Sequence, residues 1–280
     1  MMIVATALTL TILSAPPADS TPPVKAPPTK AAAADAALID GLADCEQLAK
    51  CAATRGLIKR GKAAVPALLT ALNHPKELVR FWVCGVLSEI RDPRSFDPLV
   101  AATRDKKVRV QTAALFALGG LGDKRATAVA IKALSDKDVN LRMAAALALG
   151  QMADPASIPA LIGALSDKDA EVRGYALLAL GDLKAKAALD AIVLRLREDM
   201  KPSVVAFACI ALAQLGDRRA TAAMVEIVSG SGNLQTRAEC AAALGRLGDP
   251  AARKALTAVV GSEEPLKTAA TQALKQLSPK

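Results

Sequence analysis

The chain has 280 residues, of which 52% are hydrophobic but only 2% aromatic, and it carries a net charge of +9. A single globular core of this length draws on large rings for buried area, so their scarcity favours closely packed small helices rich in Ala and Leu. Five cysteines, an odd number without CxxC spacing, exclude a dense disulfide framework and leave a zinc or redox motif unsupported.

Residues 2–14 are apolar and uncharged. A membrane span needs about 20 such residues, whereas the h-region of a secretory signal peptide is shorter. Residues 1–18 are therefore expected to be a signal peptide. Residues 19–30, with prolines at 22, 23, 27 and 28, are expected to be an extended linker. This reading implies export to the periplasm or the extracellular space, with no membrane span in the mature chain. No cysteine closely follows the apolar run, which argues against a lipoprotein anchor. Among Cys45, Cys51 and Cys84 one bridge is open to form; Cys209 and Cys240 read as small core residues.

From there to the C-terminus the chain repeats. A turn position recurs at Gly61, Asp92, Asp123, Asp154, Ala185, Asp217 and Asp249, at intervals of 31 or 32 residues. A second position precedes it at Arg80, Gln111, Arg142, Arg173, Val205 and Arg237. An Ala- and Leu-rich segment joins the two, as in residues 141–154. This segment predicts a helix A over 141–152. After the turn, Ile158, Leu161, Ile162 and Leu165 fall on one helical face and predict a helix B. Ser-Asp-Lys-Asp loops at 135–138 and 166–169 supply caps for the next helix A. Residues 31–42 predict a further helix at the front, and residues 267–277 a last helix A. One helix pair cannot bury its apolar face alone, but stacked pairs share a continuous core. The expected fold is all-α: an α-α solenoid of about seven repeats over residues 31–280.

This pattern resembles the HEAT-like repeats of phycobilisome lyases, within the wider HEAT and armadillo group, over about residues 44–277. The resemblance implies that the helix-A Arg and the turn Asp are structural and tie one repeat to the next. Arg80 with Asp92, Arg142 with Asp154, and Arg237 with Asp249 match that ladder. Arg173 matches alone because Ala185 fills its turn position. Gln111 and Val205 also depart, so the ladder is expected to be weaker there. Some members of the group are hydroxylases that bind two irons through His-Glu pairs, and this chain has no such pair. The bilin lyases are the other enzymatic precedent.

No catalytic, cofactor-binding or metal-binding set emerges from the residues. His74 is the single histidine and has no partner in register. Gly119, Gly120 and Gly122 fit neither phosphate-loop spacing and read as a helix stop. Phe81 and Trp82 read as core under the first repeats, with a partner-binding anchor as the alternative. Positions five and nine after each turn are expected to line a concave groove. They hold two bases, Lys132 and Lys254, against three acids, Asp97, Asp190 and Glu226. That is not a phosphate track and it lacks rings for stacking, so nucleic acid is not the expected partner. Lys132, Asp190, Leu194 and Glu226 are the candidate partner-binding residues. The expectation is an exported protein-binding scaffold of unknown partner, not an enzyme, with no cofactor. The alternatives are an enzyme subunit or lyase-like chaperone of a cofactor, and a binder of nucleic acid or another anionic polymer.

Overall fold

The computed structural model of the chain describes residues 30–277. The expected signal peptide and nearly all of the expected linker lie outside the described residues. Among the described residues there are sixteen α-helices and no strand. The front helix α1 (Lys30–Asp40) leads into paired helices. The A helices are α2 (Ala52–Arg60), α4 (Glu77–Ile90), α6 (Val108–Leu121), α8 (Val139–Met152), α10 (Ala170–Asp182), α12 (Pro202–Leu215), α14 (Leu234–Leu247) and α16 (Leu266–Gln276). The shorter B helices are α3 (Val65–Ala71), α5 (Phe96–Ala102), α7 (Thr127–Ala133), α9 (Ile158–Ala164), α11 (Leu189–Glu198), α13 (Thr221–Ser229) and α15 (Arg253–Ala258). No helix among the described residues is long and apolar enough to cross a membrane.

Local chemistry sets the helix ends. Asp138 and Asp169 cap α8 and α10 by accepting from the amides of Asn140 and Glu171. Gly122, Gly216 and Gly248 end α6, α12 and α14 in the left-handed conformation, where a Cβ would be strained. Each turn aspartate then starts a short 3-10 segment. Asp92, Asp123, Asp154, Asp217 and Asp249 accept from the amide two residues on, and Ala185 makes no such side-chain bond.

The A helices lie side by side in chain order, and each B helix packs on the next A helix. The A–A approach is close because small residues meet there. A Cβ on Gly119 would lie 2.8 Å from Ala148 Cα, and one on Gly245 would lie 2.7 Å from Ala273 Cα. A side chain at either position would drive backbone against backbone. The shared core is built from Leu, Val, Ile and Ala, with Leu87, Leu118, Leu149, Leu180 and Leu212 fully or almost fully buried on successive A helices. Trp82 is also buried and donates its indole N–H to Cys45 O at 3.0 Å. Arg109 lies over the Phe81 ring at 4.3 Å, so this aromatic pair is packed within the stack.

The arginine ladder differs from expectation. Arg80 does not pair with Asp92: its Nε and Nη2 donate to Asp105 at 2.7 and 2.9 Å. Arg142 pairs with Asp167, not Asp154, at the same distances, and Arg173 pairs with Asp199 at 2.6 and 2.9 Å. The partner lies in the loop before the next helix A. In each case Nη1 also donates to two carbonyls of the loop before the arginine's own helix, such as Asp136 O and Lys137 O for Arg142. The arginine thus staples two successive loops. The turn aspartates do not take these arginines because they cap their own turns. Asp154 and Asp249 do reach a neighbouring repeat, through the hydroxyls of Thr127 and Thr221.

Cysteine usage is also corrected. Cys209 and Cys240 are disulfide-bonded between α12 and α14, with Cα atoms 5.1 Å apart, because helical register places the two thiols face to face. Cys45 and Cys51 form a second bridge, and Cys84 is a buried free thiol.

The ladder makes a stability contrast. Asp167→Asn keeps the loop hydrogen bond to the amide of Asp169 but leaves the buried Arg142 guanidinium without its counter-charge. This substitution should destabilise the chain by about 3 kcal/mol. Asp136 occupies the equivalent loop position but has no arginine, so Asp136→Asn should change stability by about 0.5 kcal/mol or less. Urea unfolding followed by circular dichroism measures both; equal losses would reject the ladder's role.

Candidate binding edge at two interrupted ladder positions

The ladder runs along the edge where each helix B turns into the next helix A, and two of its positions are interrupted. At the first, Gln111 stands where an arginine belongs and Asp136 remains opposite. Gln111 turns its amide to Asp105 O instead. Asp136 accepts from the amide of Asp138, and no ion pair is described for its carboxylate. At the second, Val205 replaces the arginine and Ser231 stands at the aspartate's register, beside Gly230. Both interruptions open into pockets. The first has a volume of about 610 Å³, with Gln111, Asp136, Lys132 and Arg104 in its wall. The second has about 250 Å³, with Val205, Gly230, Arg237, Met200, Asp199 and Glu226 in its wall. The missing side chains are the physical cause of both spaces.

The four candidate residues are all exposed on the B helices. Lys132 lines the first pocket and Glu226 the second. Asp190 and Leu194 lie on α11 outside either wall, with Leu194 48% exposed. Glu226 is held by Arg197 through two bonds of 2.9 and 3.0 Å. Both side chains are half-exposed, so the pair contributes little to stability. Sequence reasoning marked the departures at Gln111 and Val205 but missed Asp136, Ser231 and Met200. Their signal was available, since Asp136 and Ser231 stand six residues before the next ladder position, as Asp105 stands before Gln111.

Electrostatics separates the filled from the open positions. The Asp105 carboxyl is held below the usual range by its hydrogen bonds from Arg80. Burial alone would raise Asp167 and Asp199, but the bonds from Arg142 and Arg173 outweigh it and both end low. Arg94 and Arg219, each two residues after a turn aspartate, bring Asp92 and Asp217 down to about 2. Burial pushes the Cys84 thiol up to about 12, which leaves it protonated and unreactive at neutral pH. Among the described residues no group of three or more His, Cys, Asp or Glu side chains is placed to hold a metal ion.

Paired helices repeating every 31 or 32 residues, with one shared core and an arginine ladder, define an α-solenoid of the HEAT and armadillo class. A family profile of HEAT repeats matches residues 36–118, 101–181 and 189–275, and the chain belongs to the HEAT repeat family. A bilin biosynthesis protein, RpcF of Synechococcus sp. (strain WH8020), is 45% identical over 62 residues, which is 22% of this chain and 30% of that relative's length. The complex of CpcE and CpcF of phycocyanin lyase from Nostoc sp. PCC7120 is similar in structure. Its TM-score is 0.52 at 20% identity, over 94% of this chain and 100% of that one. A crystal structure of importin beta has a TM-score of 0.65 at 16% identity, over 87% of this chain and 40% of that one. The two structural likenesses show the fold.

One of these relatives corrects the functional expectation. A scaffold without enzymatic work does not stand beside a relative named for bilin biosynthesis, which favours the alternative, an enzyme subunit or lyase-like chaperone of a cofactor. The expectation failed because it rested on the lack of a catalytic constellation, and a subunit need not carry a whole one.

If the first pocket is an interrupted ladder position, restoring the arginine should close it. Gln111→Arg should pair with Asp136 and raise stability by about 1 kcal/mol, the net worth of a charged hydrogen-bond set after burial. Thermal melting at neutral pH measures this; an unchanged or lower midpoint would reject the assignment.

Proposed function

We propose that the chain is a lyase-like subunit or cofactor chaperone that handles a linear tetrapyrrole together with an acceptor protein. The observation that carries this reading is the 45% identity to the bilin biosynthesis protein over 62 residues. The interrupted edge supports it. It offers two pockets of mixed apolar and charged lining, one beside Asp136 and one beside Arg237, with the 91% exposed Met200 in the wall of the second. An extended solenoid suits contact with a protein partner, because each repeat adds surface without altering the core. Titration of the purified chain with biliverdin, followed by visible absorption, tests the reading. A saturable change in the long-wavelength band is expected; a spectrum unchanged in excess protein would reject it.

We also propose that the chain matures in an oxidising compartment. The bridges Cys45–Cys51 and Cys209–Cys240 support this, since such bonds persist outside reducing cytosol, as does the apolar run at residues 2–14. Alkylation of denatured, unreduced protein from its native host should label Cys84 alone. Labelling of every cysteine without reductant would reject the proposal.

A further inference from the structure

Three ladder positions in this chain hold a carboxylate in the same way. A helix-A arginine donates Nε and Nη2 to an aspartate from the next loop, as in Arg80–Asp105, Arg142–Asp167 and Arg173–Asp199. The position between α12 and α14 has lost both members, with Val205 for the arginine and Ser231 for the aspartate. The space that the pair would occupy is the pocket of about 250 Å³.

A different arginine points into that space. Arg237 is itself a ladder arginine, but the loop before α16 holds no aspartate, and neither Glu263 nor Glu264 makes a described bond with it. Its Nε donates to Val228 O at 3.0 Å, nine residues back, which turns the guanidinium toward the open position. No acceptor for Nη1 or Nη2 is described, and no carboxylate among the described residues lies within ion-pair distance.

The other charges of the pocket cancel. Asp199 is held bidentately by Arg173, and Glu226 by Arg197. Arg237 is the charge left over. The floor is also set in advance. Asn233 Oδ1 accepts from the Thr236 amide, and the Thr236 hydroxyl donates to Pro202 O. Met200, Pro202 and Ile227 add apolar wall around the guanidinium.

From this geometry we propose that the open position at Val205 and Ser231 is a carboxylate-binding site, in which Nη1 and Nη2 of Arg237 take an incoming carboxylate end-on while Val228 O holds Nε. Planar guanidinium and carboxylate match two hydrogen bonds at once, which makes Arg the selective residue for this group. The volume is below the roughly 300–1,000 Å³ of sites that enclose a whole small molecule. The site therefore admits one arm of a ligand. Two sources supply that chemistry: an acidic side chain of a polypeptide, or a carboxylate arm of a small molecule such as a tetrapyrrole's propionate. The inference stands apart from the lyase-like reading, since either source leaves the site's chemistry the same.

The test uses the full chain labelled with ¹⁵N at arginine and follows the Nε–Hε resonances by nuclear magnetic resonance. The probes are glutarate and the capped tripeptide Gly-Glu-Gly, each at constant ionic strength. Glutaramide and Gly-Gln-Gly are the controls. One resonance, assigned by its absence in Arg237→Gln, should move saturably with both acids and with neither amide. Arg237→Gln should weaken glutarate binding about tenfold or more, the loss that one charged hydrogen bond represents. The double variant Val205→Arg with Ser231→Asp should lose binding equally, because its own pair refills the space, while it melts no lower than the parent. Tighter binding of the tripeptide than of glutarate by about tenfold assigns the polypeptide source; comparable or tighter glutarate binding assigns the small molecule. Absence of a saturable shift of that resonance, or glutarate binding by isothermal titration calorimetry that is undiminished in Arg237→Gln or in the double variant, overturns the site.

Discussion

A buried guanidinium has to find acceptors for its donors, and the stack is organised around that requirement. Arg142 spends two donors on Asp167 and one nitrogen on the carbonyls of Asp136 and Lys137. It therefore joins two loops that belong to successive repeats, and it fixes the offset of one helix pair on the next. The charge is nearly enclosed, so its pairing is worth more than that of a surface ion pair. Where the arginine is present, the loop edge is filled and closed. Where Gln111 or Val205 replaces it, the backbone keeps its course and a pocket appears. The same device thus sets both the regularity of the solenoid and the location of its irregular, chemically open positions.

The backbone keeps its course at the interruptions because the A helices are held by other means. Gly119 against Ala148 and Gly245 against Ala273 bring helix backbones into contact, and leucines on the same helices fill one continuous core. Between α12 and α14, where no ladder pair exists, the disulfide from Cys209 to Cys240 crosses the same boundary. The Thr236 hydroxyl reaches Pro202 O there as well. The interruption of one fastening is offset by two others, so the pocket beside Arg237 sits in a well-tied part of the stack.

For function, the important feature is the contrast between the two open positions. One leaves a carboxylate, Asp136, without an arginine; the other leaves an arginine, Arg237, without a carboxylate. A solenoid made of identical repeats would present neither. Departure from the repeat is where such a chain carries individual chemistry, because the repeat itself is committed to packing. The likeness to a bilin biosynthesis protein over 62 residues is the ground on which a cofactor-related role is proposed for these positions.

The sequence by itself determined the repeat, the helix pairs, their caps and the all-α fold, because these depend on spacing and on residues near in the chain. It also marked Gln111 and Val205 as exceptions and put Lys132 and Glu226 on the exposed row. Only the tertiary structure decided who pairs with whom. Asp92 and Asp105 are both aspartates within reach of Arg80 on paper, and the choice between them follows from where the next loop lies once the helices stack. For the same reason Cys209 found Cys240, a whole repeat away, although spacing alone suggested two buried thiols. The open pocket before Arg237 was the least legible feature. A side chain that is missing leaves no motif, and the space it vacates exists only after its neighbours have packed.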